Sequence, residues 1–536
     1  MNGIVVAPQP RAAEAGAEVL RRGGNAFDAA VTVAFMQCAI DPFMCGVGGI
    51  GVAQVFDARR GEATIVDFYG RVGSRARADQ RAGLIRRTPT GRTYVKGFAN
   101  AVGYGSILIP GTVAGLAAIH ERGCLPWRDL LQPAIAVLRD GFPLYAYIAE
   151  YFDAVYQYPH GDYFPPFEQF IRTTPDFAHL WLREDGLPRR VGDHLVNLDY
   201  ADTLQTLADE GPDALYRGSL ASVIAADFAA HDAPITADDL AACRANIVAP
   251  IGTDYRGYRV STSPPGGITL LQALALLGDT DFAASGQDSP DALHHIATSL
   301  RIAFGERGKI AGDADRALLD RLLAPARLAE LRRHCGAPAS ATRAVPDPPG
   351  TTHLTVADRQ GNIVTLTHTL SLGSGVVTPG LGFQYNNGMA SFDPFPGRPR
   401  SIAPGQARVT PMSPTIVFDG ERPLIALGSP GSNAIISAIT QTLINLLDFG
   451  LSPLEAVGAP RIHCEGGALL LETRTPIATA RELAARGWVL NPRPFAYDTL
   501  QGRVQLIVRE GERWAGAADP RRDGGVALVV EYAEAG

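Results

Sequence analysis

The residues best suited to do chemistry are Thr351 and its neighbours, in the run Pro348-Pro349-Gly350-Thr351-Thr352-His353-Leu354-Thr355-Val356-Ala357-Asp358. A Pro-rich stretch stops at a glycine and a β-rich run opens with paired threonines. If the Gly350–Thr351 peptide bond is cut, Thr351 gains a free α-amino group beside its own hydroxyl. Such an amine, with a pKa of about 7.7–8.0, suits a general base near neutral pH. A threonine activated in this way needs neither histidine nor metal, so no cofactor is expected. Threonines are also common at strand starts, so this motif alone does not decide.

The segment that follows decides. Residues 354–358 alternate as a strand, Arg359-Gln360-Gly361 has the make-up of a three-residue turn, and residues 362–370 form a second β-rich run. Turns of this length place glycine in the left-handed position, here Gly361. A hairpin centred near residue 360 sets position 369 across from position 351, within one residue for a bulge. Position 369 is Thr369. Its expected role is to hydrogen-bond and orient the Thr351 hydroxyl.

A large framework must hold this pair. At 536 residues the chain exceeds one ordinary core, so two interleaved halves or several domains are expected. The net charge of −7 offers no basic footprint for nucleic acid or an anionic membrane. The apolar run at residues 31–40 is too short to span a bilayer. The six cysteines (Cys38, Cys45, Cys124, Cys243, Cys335 and Cys464) are scattered, without C-x-x-C pairs or ligand-like spacing to histidine. They are expected to be buried or inert thiols, and no metal site is expected.

Along the chain, residues 11–40 fit helix and end at Asp41-Pro42. Cys45-Gly46-Val47-Gly48-Gly49-Ile50-Gly51 leads into strands at 52–56 and 63–68. This glycine loop follows a helix rather than a strand and lacks a closing Lys-Ser/Thr, so close backbone packing is a better account than phosphate binding. Residues 112–140 and 200–310 are expected to be mostly helical. Residues 150–190 form an aromatic, Pro-rich stretch with the look of an irregular cap. Residues 336–350 form a Pro/Ala-rich segment whose flexibility would let Thr351 reach the Gly350 carbonyl. Residues 351–536 read as strand-dominated, with one clear helix at 433–448.

Many fragments, in order along nearly the whole chain, resemble the γ-glutamyltranspeptidases, N-terminal-nucleophile (Ntn) hydrolases. Glu18-Val19-Leu20-Arg21-Arg22-Gly23-Gly24-Asn25-Ala26-Phe27-Asp28-Ala29-Ala30 is similar to the family's opening helix and glycine turn. Pro110-Gly111-Thr112-Val113-Ala114-Gly115, Leu131-Gln132-Pro133-Ala134, Glu210-Gly211-Pro212-Asp213-Ala214-Leu215-Tyr216 and Tyr255-Arg256-Gly257-Tyr258 follow. Met412-Ser413-Pro414-Thr415, Gly428-Ser429-Pro430-Gly431 and Ala459-Pro460-Arg461 complete the series. The resemblance implies an α+β fold, the four-layer αββα Ntn sandwich, made as a proenzyme. Residues 1–350 would become the large subunit and residues 351–536 the small one, a heterodimer that forms one interleaved domain and could assemble further. Many family members carry a secretion signal; the Met1-Asn2-Gly3-Ile4 start shows none, which points to the cytoplasm.

In the family a Gly-Gly pair supplies the oxyanion hole; here it becomes Gly431-Ser432, at a strand-to-helix junction where backbone N–H groups meet developing negative charge. Ser432 could equally cap that helix. The departures concern the amino-acid clamp. Tyr69 stands at the family's carboxylate-binding arginine in Asp67-Phe68-Tyr69-Gly70-Arg71, with Arg71 two residues on. Ser391 replaces the ammonium-binding aspartate after Asn386-Asn387, Thr-x-Asn becomes Thr369-Leu370-Ser371, and Ser-Ser becomes Thr410-Pro411. Loss of that aspartate, with Phe392-Asp393-Pro394-Phe395-Pro396-Gly397-Arg398-Pro399, is similar to the cephalosporin-acylase branch. The expected substrate is a small-molecule amide. Its acyl part would carry a carboxylate for Arg71 and no α-amine, as in glutaryl-type or smaller dicarboxylic monoamides. The alternatives are a true γ-glutamyltransferase with a rebuilt clamp and a catalytically silent binding or structural protein.

Overall fold

In the computed structural model, which describes residues 1–87, 93–148, 170–310, 312–333 and 350–530, two antiparallel sheets stack face to face. The first contains β1 (Gly3–Ala7), β2 (Ile50–Asp57), β3 (Glu62–Phe68), β4 (Asn246–Val248), β7 (Thr352–Ala357), β8 (Ile363–Thr369) and β13 (Gly525–Val529). Its order is β13-β1-β7-β8-β2-β3-β4. The second contains β5 (Ile251–Tyr255), β6 (Tyr258–Thr262), β9 (Thr415–Asp419), β10 (Arg422–Gly428), β11 (Gln505–Glu510) and β12 (Arg513–Ala518), in the order β12-β11-β10-β9-β6-β5.

Residues that alternate along the strands separate the layers. Ile4, Val6, Phe56, Ala357 and Ile363 of the first sheet meet Ile416, Phe418, Ala426, Ile507 and Trp514 of the second. Their neighbours on the opposite face of the first sheet, including Val5, Val55, Leu354 and Leu366, pack under α1 (Pro10–Arg21), α2 (Ala26–Ile40), α3 (Thr112–His120) and α4 (Trp127–Asp140). On the far side, α5 (Ile268–Leu276), α6 (Pro290–Arg307) and α7 (Ala434–Leu447) cover Val260, Val417, Ile425 and Leu506. The result is the expected α+β αββα sandwich. The central strands are covered on both faces, and every residue of β1, β7 and β8 is buried.

Local chemistry sets the element ends. The helical run expected at 11–40 is two helices, because Gly23 takes a φ of +90° and a Cβ on Gly24 would stand 2.9 Å from the Val19 carbonyl oxygen. Asn25 then caps α2 through a reciprocal bond with Asp28. Residues 200–310 are less helical than expected: β4, β5 and β6 interrupt them, and Arg256 and Gly257 both take positive φ in the tight turn between β5 and β6. Beyond α7, helices Pro453–Gly458 and Ile477–Ala485 add to the single one expected after Thr351. The glycine loop is a packing device, since Cβ atoms on Gly48 and Gly49 would lie 2.5 Å from the Gln384 oxygen and 2.7 Å from the Thr369 oxygen. Among the described residues no helix is long and apolar enough to cross a membrane.

His353 lies between the sheets, where its ring meets the hydroxyls of Thr367 at 2.8 Å, Thr365 at 3.0 Å and Thr355 at 3.1 Å. A Cβ on the facing Gly428 would come 2.2 Å from the ring. Burial, helped by the charge of His368, pushes the His353 pKa down to about 3. The unfolded chain therefore takes up a proton, near the ordinary pKa of about 6.5, that the folded one refuses. The stability this neutral ring contributes is complete above that pH and drains away as pH falls toward 3. Thermal melts should show the midpoint falling as pH drops below about 6.5. His353→Gln should flatten that slope; an unchanged slope would mean that another group sets it.

Candidate active site

β7 and β8 pair from Thr352 opposite His368 to Ala357 opposite Ile363. Asp358 closes the turn, its N–H bonding the Asn362 carbonyl at 3.1 Å and its carboxylate accepting from the N–H groups of Gln360 at 2.9 Å and Asn362 at 3.0 Å. Gly361 takes a φ of +92°, as the turn length requires. One step past the ladder, Thr351 faces Thr369, and its hydroxyl donates to the Thr369 oxygen at 3.0 Å. The Thr369 hydroxyl is itself fixed by the Ser371 N–H at 2.7 Å.

The backbone here is tightly specified. Thr351 holds a φ of +99°, a costly conformation for a β-branched residue. A Cβ on Gly350 would lie 1.6 Å from the Ser371 carbonyl oxygen, so only glycine fits before Thr351. Strain and steric exclusion thus meet at one peptide bond.

Thr351, Thr369 and Gly350 border a cavity of about 400 Å³, whose walls also include Tyr69, Ser371, Asn387, Ser391 and Ser432. Three expected residues do not line it. Arg71 forms an antiparallel bridge with Ala407, and its guanidinium bonds Asp313 at 2.9 Å and the Gly405 carbonyl at 2.9 Å. Thr410 is buried, its hydroxyl accepting from the Met412 N–H at 3.0 Å. Gly431 is pressed against Gly502, where a Cβ would stand 2.9 Å from the Cα. Asn387 lines the cavity with its amide already engaged by the Leu372 N–H at 2.9 Å and the Ala101 carbonyl at 2.8 Å, so it shapes the loop. Ser391 is exposed, at the end of a short 3-10 turn. The cap position of α7 falls to Asn433 rather than Ser432, and Ser432 takes a φ of +53° just before it.

The sequence reading missed the cations. Arg307, Arg400 and Arg408 all line the cavity, and no Asp or Glu does so among the described residues. Arg408 donates to the Ser371 hydroxyl at 2.8 Å and lies over the Tyr69 ring at 5.4 Å, while its Nε has no hydrogen-bond partner. Arg400 donates to the carbonyls of Arg307 and Ile310, and burial together with the charge of Arg408 lowers its pKa. Arg307 donates to the Asn433 side chain, which in turn donates to Glu465 at 2.8 Å. No motif flags these arginines. Only the folding back of the chain after Phe392 brings Arg400 and Arg408 to the end of α6.

The described cysteines, Cys38, Cys45, Cys124, Cys243 and Cys464, are free thiols, as expected of them, and Cys38, Cys45 and Cys464 are buried. Cys38 and Cys45 converge with His368 behind the hairpin. Cys335, the segment leading to Gly350 and the aromatic residues from Tyr151 to Phe167 lie outside the described residues. Phe170, grouped with those aromatics in the sequence, is core, packed on Phe177 at 5.1 Å between ring centroids.

The family model described as gamma-glutamyltranspeptidase matches residues 12–529. The chain belongs to this family. It is 35% identical over 498 residues to the acylase ACY 1 proenzyme of Pseudomonas sp. (strain SE83), covering 91% of this chain and 87% of the relative. It is 30% identical over 550 residues to the glutathione hydrolase proenzyme of Escherichia coli (strain K12), covering 97% and 90%. The solved cephalosporin acylase from Bacillus halodurans superposes with a TM-score of 0.86 at 28% identity, covering 98% of this chain and 95% of that one. The protein is thus an enzyme of the γ-glutamyltranspeptidase family, an Ntn hydrolase.

Removing the Thr369 hydroxyl takes away the hydrogen-bond partner of Thr351. Thr369→Ala should lower kcat for amide cleavage by about ten- to hundredfold, the worth of roughly 1–3 kcal/mol, and Thr369→Ser should be mild. Steady-state kinetics would decide, and equal rates in the alanine variant would reduce Thr369 to a strand residue.

Proposed function

We propose that the protein cuts itself between Gly350 and Thr351 and then hydrolyses amides whose acyl part bears a carboxylate and no α-amine, through an ester on Thr351. The observation that carries this reading is the cavity beside the paired hydroxyls, lined by three arginines and by no Asp or Glu among the described residues. An amino-acid acyl group would bring an ammonium that nothing there neutralises, at a cost of several kcal/mol. The acylase names of two similar proteins support amide hydrolysis.

In self-cleavage the Thr351 hydroxyl adds to the Gly350 carbonyl, the C–N bond breaks to leave an ester, and water releases the Gly350 carboxylate. Residues 1–350 and 351–536 remain together as a heterodimer. In turnover the freed α-amine takes the hydroxyl proton as the oxygen attacks the substrate carbonyl. The backbone N–H of Ser432, the member of the Gly431-Ser432 pair that borders the cavity, receives the developing oxyanion. The leaving amine takes the proton, and water then hydrolyses the acyl ester. The carboxylate-holding role expected of Arg71 passes to Arg408, fixed by Ser371 and Tyr69, with Arg400 beside it.

Intact-mass analysis should find two co-purifying chains, residues 1–350 and 351–536, and a single chain in Thr351→Ala and in Gly350→Ala. An active enzyme that remains one uncut polypeptide would overturn the mechanism. Glutaryl anilides should be cleaved better than γ-glutamyl anilides. Arg408→Gln should raise KM for the glutaryl substrate about tenfold or more, as loss of a charge-assisted hydrogen bond predicts. If γ-glutamyl amides prove the best donors, the proposed specificity is wrong while self-cleavage stands.

A further inference from the structure

Directly behind the active-site hairpin, Cys38 of α2, Cys45 of the loop after it and His368 of β8 are each fully buried. The two sulfurs and an imidazole nitrogen all lie within 4.8 Å of one another. Tetrahedral zinc, with bonds of about 2.3 Å to sulfur and about 2.0–2.1 Å to nitrogen, needs ligand atoms about 3.5–3.8 Å apart, so small rotamer shifts close the site.

Hydrogen bonds fix which ring nitrogen keeps its lone pair free for an ion. The Gln37 side-chain nitrogen donates to the Gln9 side-chain oxygen at 2.8 Å and the His353 carbonyl at 3.1 Å. Its oxygen therefore points to His368, whose Nε2 donates to it at 2.8 Å. Nδ1 is left as the lone-pair nitrogen, buried and with no oxygen or nitrogen partner. A second orphan lies nearby: the side-chain oxygen of Gln384 is buried and unpartnered, and Gln384 borders a cavity of about 20 Å³ with Cys38 and Cys45. That space holds about one water molecule.

Two thiols beside a neutral histidine also occur as an inert polar cluster, in which the Cys38 thiol bonds the imidazole; the convergence of all three ligand atoms on one point and the small cavity beside them favour a bound ion. We propose that Cys38, Cys45 and His368 bind one zinc ion, with a water in the small cavity as fourth ligand donating to Gln384. Binding releases one proton from each thiol, and two thiolates cancel the dication, so the buried site is electrically neutral. Gln37 serves as the partner that holds the histidine ring for the metal. The ion ties β8 to α2 one residue before Thr369, stiffening the strand end that carries the active-site hydroxyl.

The test uses the full-length chain purified under reducing conditions without chelator. Mass spectrometry of the metal should find about one zinc per chain. Replacing zinc with Co²⁺ should give the thiolate charge-transfer and intense visible bands of a tetrahedral site. Cys38→Ser and Cys45→Ser should lose the bound metal and the spectrum, Gln37→Met should lower zinc affinity by about 10–100-fold in chelator competition, and Cys124→Ser should match the parent. Because the cobalt spectrum is read on the unmodified chain, a misfolded variant does not blunt the test. Absence of both zinc and the cobalt–thiolate bands, or a Cys38–Cys45 disulfide in peptide maps of the purified chain, overturns the proposal.

Discussion

The hydrogen bond between the hydroxyls of Thr351 and Thr369 exists because β7 and β8 pair with Thr352 opposite His368. A slip of one residue would turn every side chain of β8 to the wrong layer, and both faces of the hairpin are buried, so the register is strongly fixed. The Asp358 turn sets it at one end. At the other, the Leu370 N–H bonds the Met44 carbonyl at 2.9 Å and the Asn387 N–H bonds the Leu370 carbonyl at 3.0 Å. The glycine loop, the Asn387 amide and the close fit of Gly350 all serve the same end, which is to stop the strands where the two threonines meet.

Around this pair the electrostatics are one-sided. Arg307, Arg400 and Arg408 all border the cavity and are restrained by backbone carbonyls, by Asn433 and by the Ser371 hydroxyl. Like charges held this close repel, and an anion that enters the cavity relieves them. On the proposed reading, positive charge and the paired hydroxyls of the same cavity divide the labour: the first selects what enters and the second reacts with it.

Much of this was legible before folding. Strand alternation and the Arg359-Gln360-Gly361 turn placed Thr369 opposite Thr351, because hairpin geometry is local. The layer order followed from the family motifs. The clamp was not legible: Arg71 stood next to the right position in the chain, but its bridge to Ala407 turned it toward Asp313. Arg408 reaches the cavity through contacts between segments far apart in sequence, which no spacing rule encodes. The same holds for Cys38, Cys45 and His368, whose separation along the chain hides their convergence. The short strands after Asn246 were lost among helices because β4 is three exposed residues and β5 and β6 are five residues each, runs too short to settle the period.

The strand order of the first sheet has a consequence for how the molecule can be lost. β7 and β8 lie between β1 and β2, so the stretch before Gly350 supplies four strands and the stretch after it three to a layer that neither can complete. While the chain is continuous, closing that layer is an intramolecular event. After a break at Gly350 the same closure becomes an encounter between two separate molecules, slower the more dilute they are. A mature enzyme of this topology is assembled once. From then on its lifetime is governed by the height of the unfolding barrier rather than by any equilibrium with its unfolded pieces.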